Sequence, residues 1–283
     1  MLKDDFEIIS LPKDNFRALE ILFDLIARKD SLPLSEIKER TRIGDNFFAL
    51  ISTASDLTTL DSRTLYRKKD NADATKISIW LSSVLQKARR EVLLHSGINF
   101  RGFDVEDLRR IAKLSSDESS LTRIREILIQ ELGVVLVVEK SFKSMKLDGV
   151  ATILSNGIPV IGISARFPRY DYFWFTLLHE LSHILLHYDQ LTSTIYDDFE
   201  SEELSDIEIE ANRLASDSLV PRMIWNKASV HRSLSDTDLL IAAKQAEVHP
   251  AVVAGLLRKR NNDYRIFSKF INQIDIRKAF ELA

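Results

Sequence analysis

The chain has 283 residues, 45% hydrophobic and 29% charged, with a formal net charge of −3 and no cysteine. That length can bury a proper core as one large domain or two modest ones. The charge balance argues against a globally basic nucleic-acid binder and against an acidic disordered chain. The absence of cysteine excludes disulfides and thiolate metal sites, so any transition-metal centre must use His, Asp and Glu.

The start, MLKDDFEIIS, has no apolar signal region, and no run reaches 18 uncharged apolar residues. A cytoplasmic protein without a membrane span is therefore expected. Residues 14–29 place Phe16, Leu19, Leu22, Phe23 and Ile26 at helical spacing. A second helix is predicted from Ser35 to Arg42, stopped by Gly44, and a third from about Phe47. Residues 61–76 are polar, with Arg63, Arg67, Lys68 and Lys69 close together, and read as a connection. A helix is predicted over Ile77–Arg90, with Ile79, Trp80, Val84 and Leu85 on its apolar side. Phe103–Leu114 and Ser120–Leu132 follow as helices, with Asp104 and Ser120 as candidate caps.

The pattern changes at Gly133. Val134–Val138, Val150–Leu154 and Val160–Ile163 are short β-branched or apolar runs that predict strands. Asn156-Gly157 between the last two predicts a hairpin. A long apolar helix is expected from Asp171 to about Tyr188. Ten acids and one base, Arg213, lie between Asp189 and Asp217. Asp206–Leu219 reads as a helix stopped by Pro221, and further helices are predicted near 222–230, 236–246 and 250–260. The expected fold class is α+β: a helical N-terminal module over 1–95, then a second domain over 96–283 with a small antiparallel or mixed sheet and C-terminal helices.

The chemistry is carried by FWFTLLHELSHILLH at 173–187, which contains H-E-x-x-H. Residues four apart on a helix stand on one face, about 5–6 Å between Cβ atoms. His179 and His183 can therefore converge on one ion, each nitrogen at roughly 2.0–2.1 Å. Glu180 lies on the edge of that face, where it can reach a water without binding the ion itself. Nearly every other position of the helix is apolar, so it is buried, and buried imidazoles and carboxylates need partners. A third ligand must come from elsewhere. The segment Ile207–Ala215 offers Glu208 and Glu210, about 200° apart around a helix. Both border the stripe of Ile207, Ala211, Leu214, Ala215 and Ser218, so periodicity leaves the choice open.

The 173–187 run, followed by EIEANRLASDSLVP at 208–221, closely resembles the ImmA/IrrE family of zinc metallopeptidases. LDGVA at 147–151 and PVIGISAR at 159–166 resemble the small sheet of that family, and QAEVHPAVVAG at 245–255 resembles its helix-turn-helix-like tail. About residues 100–260 are covered. The resemblance implies a zincin-like peptidase with zinc on His179, His183 and Glu210, Glu208 in reserve, and Glu180 as general base and then acid. It also implies a protein substrate, a helix-turn-helix repressor cleaved in a stress or phage response. Some members carry an N-terminal repressor-type helix-turn-helix. LSEIKERTRIGDNFF at 34–48 is similar to the end of one, though residues 1–33 are too few for its complete lead-in. The alternative expectation is an antitoxin-like DNA-binding regulator of a toxin–antitoxin pair, in which the peptidase fold serves partner binding.

The remaining polar residues divide between site and scaffold. His187, one turn past His183, reads as a partner near the site or as a polar helix end. His249 before Pro250 reads as a turn or cap residue rather than an oxyanion stabiliser, and Tyr264 has the same standing. The basic residues at 63–69 and Lys87, Arg89 and Arg90 read as solvated faces more than as phosphate contacts. The acidic stretch at 189–210 is a solvated lid or a surface that favours basic substrates.

Overall fold

The computed structural model describes residues 65–68, 74–95, 97–143, 145–192, 206–227 and 234–282. The apolar runs that begin at residue 134 become three strands, β2 (Val135–Val138), β3 (Leu147–Ile153) and β4 (Pro159–Ile163), joined at the edge by β1 (Leu65–Lys68). Their order is β1-β3-β4-β2. β1 and β4 each run antiparallel to β3, whereas β2 runs parallel to β4, so the sheet is mixed. The Asn156-Gly157 hairpin forms as predicted, with Gly157 at φ 82°. That left-handed conformation carries no steric cost for glycine.

Every residue of β2, β3 and β4 is buried, because both faces of the sheet are covered. A strand covered on both faces reads as a continuous apolar run rather than an alternating one. Val135, Val137, Val150 and Val160 pack under helix α1 (Ala74–Leu94), against Ile77, Trp80, Val84 and Leu85. Leu136, Val138, Ala151, Ile153, Ile161 and Ile163 face the other way, toward α4 (Tyr170–Thr192). Two structural facts thus differ from the expected division at residue 95. The polar stretch 61–76 contains β1, and α1 forms one outer layer of the sheet. The predicted helices before residue 61, the helix-turn-helix resemblance at 34–48 and the side chains of Arg63, Arg67, Lys68 and Lys69 lie outside the described residues, as does 193–205 of the acidic stretch.

Helix α2 (Val105–Lys113) begins at Asp104, whose side chain accepts from Glu106 N and Asp107 N, while Asp107 caps the Asp104 N–H in return. Helix α3 (Ser120–Ile127) continues as a π-helical turn over Leu128–Leu132; its N-cap is Ser119, without a side-chain bond, rather than the expected Ser120. The C-terminal half forms α5 (Asp206–Leu219), α6 (Arg222–Lys227), α7 (Asp236–Ala246), α8 (Pro250–Asn261) and two four-residue helices, α9 (Ser268–Ile271) and α10 (Ile276–Ala279).

Helix α4 is the hub. It buries Tyr170, Phe173, Trp174, Leu177, Leu178, Leu181 and Ile184, and it packs on β3, β4, α5 and α8. The helix-turn-helix-like tail is α7 and α8, joined through Glu247 in the left-handed region and capped by His249. Its second helix is committed to the protein interior. Ala251, Val252, Val253, Ala254 and Leu257 are buried, Arg258 is bonded to Ile266 O and Ser268 Oγ, and Lys259 lies over the Phe175 ring of α4 at 4.4 Å.

Candidate metal centre

Helix α4 carries His179 and His183 on one face and brings their Nε2 atoms to 3.0 Å, with the rings near perpendicular. Both are buried, as is Glu180. Across from them stands α5. Its inward stripe is made of small residues, Ala211, Ala215 and Ser218, ending in Leu219. Small residues let the two helices approach closely, and Glu208, three residues before Ala211, is carried to the histidines by that approach. Its two carboxylate oxygens lie 3.3 Å from His179 Nε2 and 3.1 Å from His183 Nε2.

The expected third ligand, Glu210, stands elsewhere. Two residues on from Glu208, it is rotated about 200° around α5. It is 62% exposed and meets His187 Nε2 at 3.1 Å instead of the histidine pair. The physical reason is the stripe. Positions 208, 211, 215 and 218 follow helical spacing and face α4, and the reserve candidate, not the acid beside Ala211, falls on that line.

The three groups fit a metal ion. The two ring nitrogens lie 3.0 Å apart, and the Glu208 carboxylate sets one oxygen 3.3 Å from His179 and the other 3.1 Å from His183, close to the roughly 3.3 Å separation expected of ligands 2.0–2.1 Å from a tetrahedral ion. Among the described residues this is the cluster of His and acidic side chains that can hold one. Burial alone would raise the Glu208 carboxyl, but hydrogen bonds from His179 and His183 and their charge outweigh it. They hold the group well below the ordinary carboxylate range.

Glu180 points to the other side of the pair, into a cleft of about 190 Å³ that it shares with His179, Tyr172, Phe175, Leu256 and Lys259. β3 forms its back. A Cβ on Gly149 would fall within van der Waals contact of Glu180 Oε1 and 2.9 Å from its Cδ, so the strand backbone passes directly against the carboxylate. Gly149 is a neighbour of the site that the sequence reading missed; the only signal was a glycine inside a strand pattern, which marks close backbone approach. Burial, then the Asp148 charge beside it, push the Tyr172 phenol well above its ordinary value, so it stays a neutral group in the cleft wall.

His187 is buried next to His183, at 3.3 Å between their Nδ1 atoms. His249 caps α8, accepting from Ala251 N at 3.1 Å. It lies against Tyr170, nine residues and roughly 13 Å along α4 from His179. Tyr264 is 58% exposed at the cleft mouth. Among the described residues no helix is long and apolar enough to cross a membrane.

Residues 129–251 match the Peptidase_M78 family, described as an IrrE N-terminal-like domain. The matched segment runs from the π-helical turn before β2 to the start of α8, and contains every residue of the His179–His183–Glu208 cluster. No curated protein matches the chain.

Proposed function

We propose, for a chain whose residues 129–251 match the IrrE N-terminal-like peptidase family, that it is a zinc metalloendopeptidase acting on a protein substrate. The observation that carries this reading is Glu208 closing on His179 and His183 at 3.1–3.3 Å, with Glu180 beside them in an accessible cleft. His179, His183 and Glu208 would hold zinc, which supplies an acidified water and an electrophile for the scissile carbonyl. Glu180 takes the proton of the attacking water and returns it to the leaving amine. Gly149 leaves room for that carboxylate. Tyr172, Phe175 and Leu256 give the cleft an apolar wall for a substrate side chain, and Lys259, lying over Phe175, supplies a cation at its rim. The resemblance of the 173–221 region supports a helix-turn-helix repressor as the substrate, cleaved in a stress or phage response.

The test compares wild type with Glu180→Gln and Glu208→Gln, purified without added metal. Zinc near one per chain is expected in wild type and in Glu180→Gln, and its loss in Glu208→Gln. Cleavage of a repressor substrate, read by mass spectrometry, should fall about 10²–10⁴-fold in Glu180→Gln. A wild-type protein that takes up no metal when zinc is supplied would sink the reading.

A further inference from the structure

Helix α4 leaves helical geometry at one residue, His187, at φ −128° and ψ 23°. The break falls at a buried histidine between exposed Leu186 and half-buried Tyr188, and the His187 ring stands beside that of His183. Their Nδ1 atoms lie 3.3 Å apart. The other nitrogen of His187, Nε2, lies 3.1 Å from Glu210 Oε2. His183 in turn directs its Nε2 to His179 and Glu208. Three side chains, His183, His187 and Glu210, thus form a line from the candidate metal centre to a carboxylate at the surface.

The protons on this line are fixed by what each end can accept. If His183 binds an ion through Nε2, that nitrogen presents a lone pair and its proton sits on Nδ1. Nδ1–H then donates to His187 Nδ1, which must be the acceptor. The His187 proton therefore sits on Nε2 and donates to Glu210, an ionised carboxylate that only accepts. Each bond has one donor and one acceptor. The opposite assignment at His187 would set two N–H groups face to face in a buried site and leave the carboxylate without a donor.

We propose that His187 and Glu210 are positioning residues: a His–carboxylate relay that locks the tautomer and ring orientation of His183 for metal binding. The inference rests on the zinc reading above. Glu210 so acts on the metal through two imidazoles and not as a ligand. Partners that orient a ligating histidine typically change metal affinity by about 10–100-fold when removed.

The test measures zinc affinity by competition with a chromophoric chelator, on full-length wild type, Glu210→Ala, Glu210→Gln and His187→Phe. Asp206→Asn, an exposed acid on the same helix, controls for loss of charge. A loss of about 10-fold or more is expected in Glu210→Ala and His187→Phe. Glu210→Gln, whose carbonyl still accepts from His187 Nε2, should regain part of it, and Asp206→Asn should match wild type. Nitrogen-15 NMR of the zinc-loaded wild type should show the proton of His183 on Nδ1 and that of His187 on Nε2. Because Glu210 is at the surface, Glu210→Ala is expected to fold and carries the test even where His187→Phe does not. Unchanged affinity in Glu210→Ala, or a His187 proton on Nδ1, overturns the relay alone. A wild type that takes up no zinc overturns the relay and the metalloendopeptidase reading together.

Discussion

Glu180 is held in place by the absence of a side chain on the strand behind it. An alanine at 149 would put a methyl group against Glu180 Oε1 and 2.7 Å from Thr176 Cγ2. One of them must move, and misplacing a catalytic group by about 1 Å can cost roughly 10²-fold in rate. Gly149→Ala is expected to lower kcat on that scale while zinc content, read by elemental analysis, stays near wild type; full activity would separate Gly149 from the chemistry. At this scale His179, Glu180 and His183 were legible in the sequence, because four-residue spacing on an apolar helix leaves one geometry for them. The third acid was not. Glu208 and Glu210 both border the apolar stripe of α5, and only the close fit of Ala211, Ala215 and Ser218 against α4 decides which one meets the histidines. The resemblance pointed to Glu210, and the structure gives that carboxylate to His187.

Among the elements, α8 shows how a resemblance can be right in shape while the surroundings determine use. Its turn, cap and proline start match the tail read from QAEVHPAVVAG, yet its apolar face lies on α4. The contact is close at Gly255, where a Cβ would stand 2.8 Å from Asp171 Cβ and 2.9 Å from its Cγ. Asp171 cannot yield easily. It is buried and paired with Arg169 across 3.1 Å. Gly255→Ala should therefore destabilise the fold by about 1–3 kcal/mol, the usual range for overpacking, as measured by urea unfolding. Because Gly255 and Leu256 line the cleft, the same variant should raise KM for a peptide substrate. A neutral outcome in both would mean that α8 is loosely seated. Sequence periodicity gave the extent of α7 and α8 to within a residue or two, but it contains no information on which neighbour takes the buried face.

For the whole molecule, the division expected at residue 95 ignores what covers the sheet. Strands buried on both faces need a layer on each side, and α4 with its neighbours supplies only one. The other is α1, where Trp80 and Val84 are fully buried and Trp80 and Val84 would also meet a Cβ on Gly162 at 3.0 Å. A fragment of 96–283 would expose Val135, Val137, Val150 and Val160 together, a patch of the kind that drives aggregation. It is expected to lack a cooperative thermal transition by circular dichroism, while 65–283 retains one; cooperative melting of the shorter fragment would restore the boundary at 95. The sheet itself was legible from its β-branched runs and the Asn-Gly turn. Its second covering layer was not, since the amphipathic pattern of residues 77–90 says that the helix packs on something without saying on what.

The histidine pair and Glu208 belong to different helices, with thirteen chain positions, 193–205, between α4 and α5. An ion held by all three would join those helices noncovalently, and unfolding would have to release it. Folding and free zinc concentration then become linked by mass action: at a hundred times its Kd the ion adds about 2.7 kcal/mol to stability. The same protein would be a sturdier molecule in a zinc-replete cell than in a starved one, with its supply of metal setting how much of it survives as well as how fast it works.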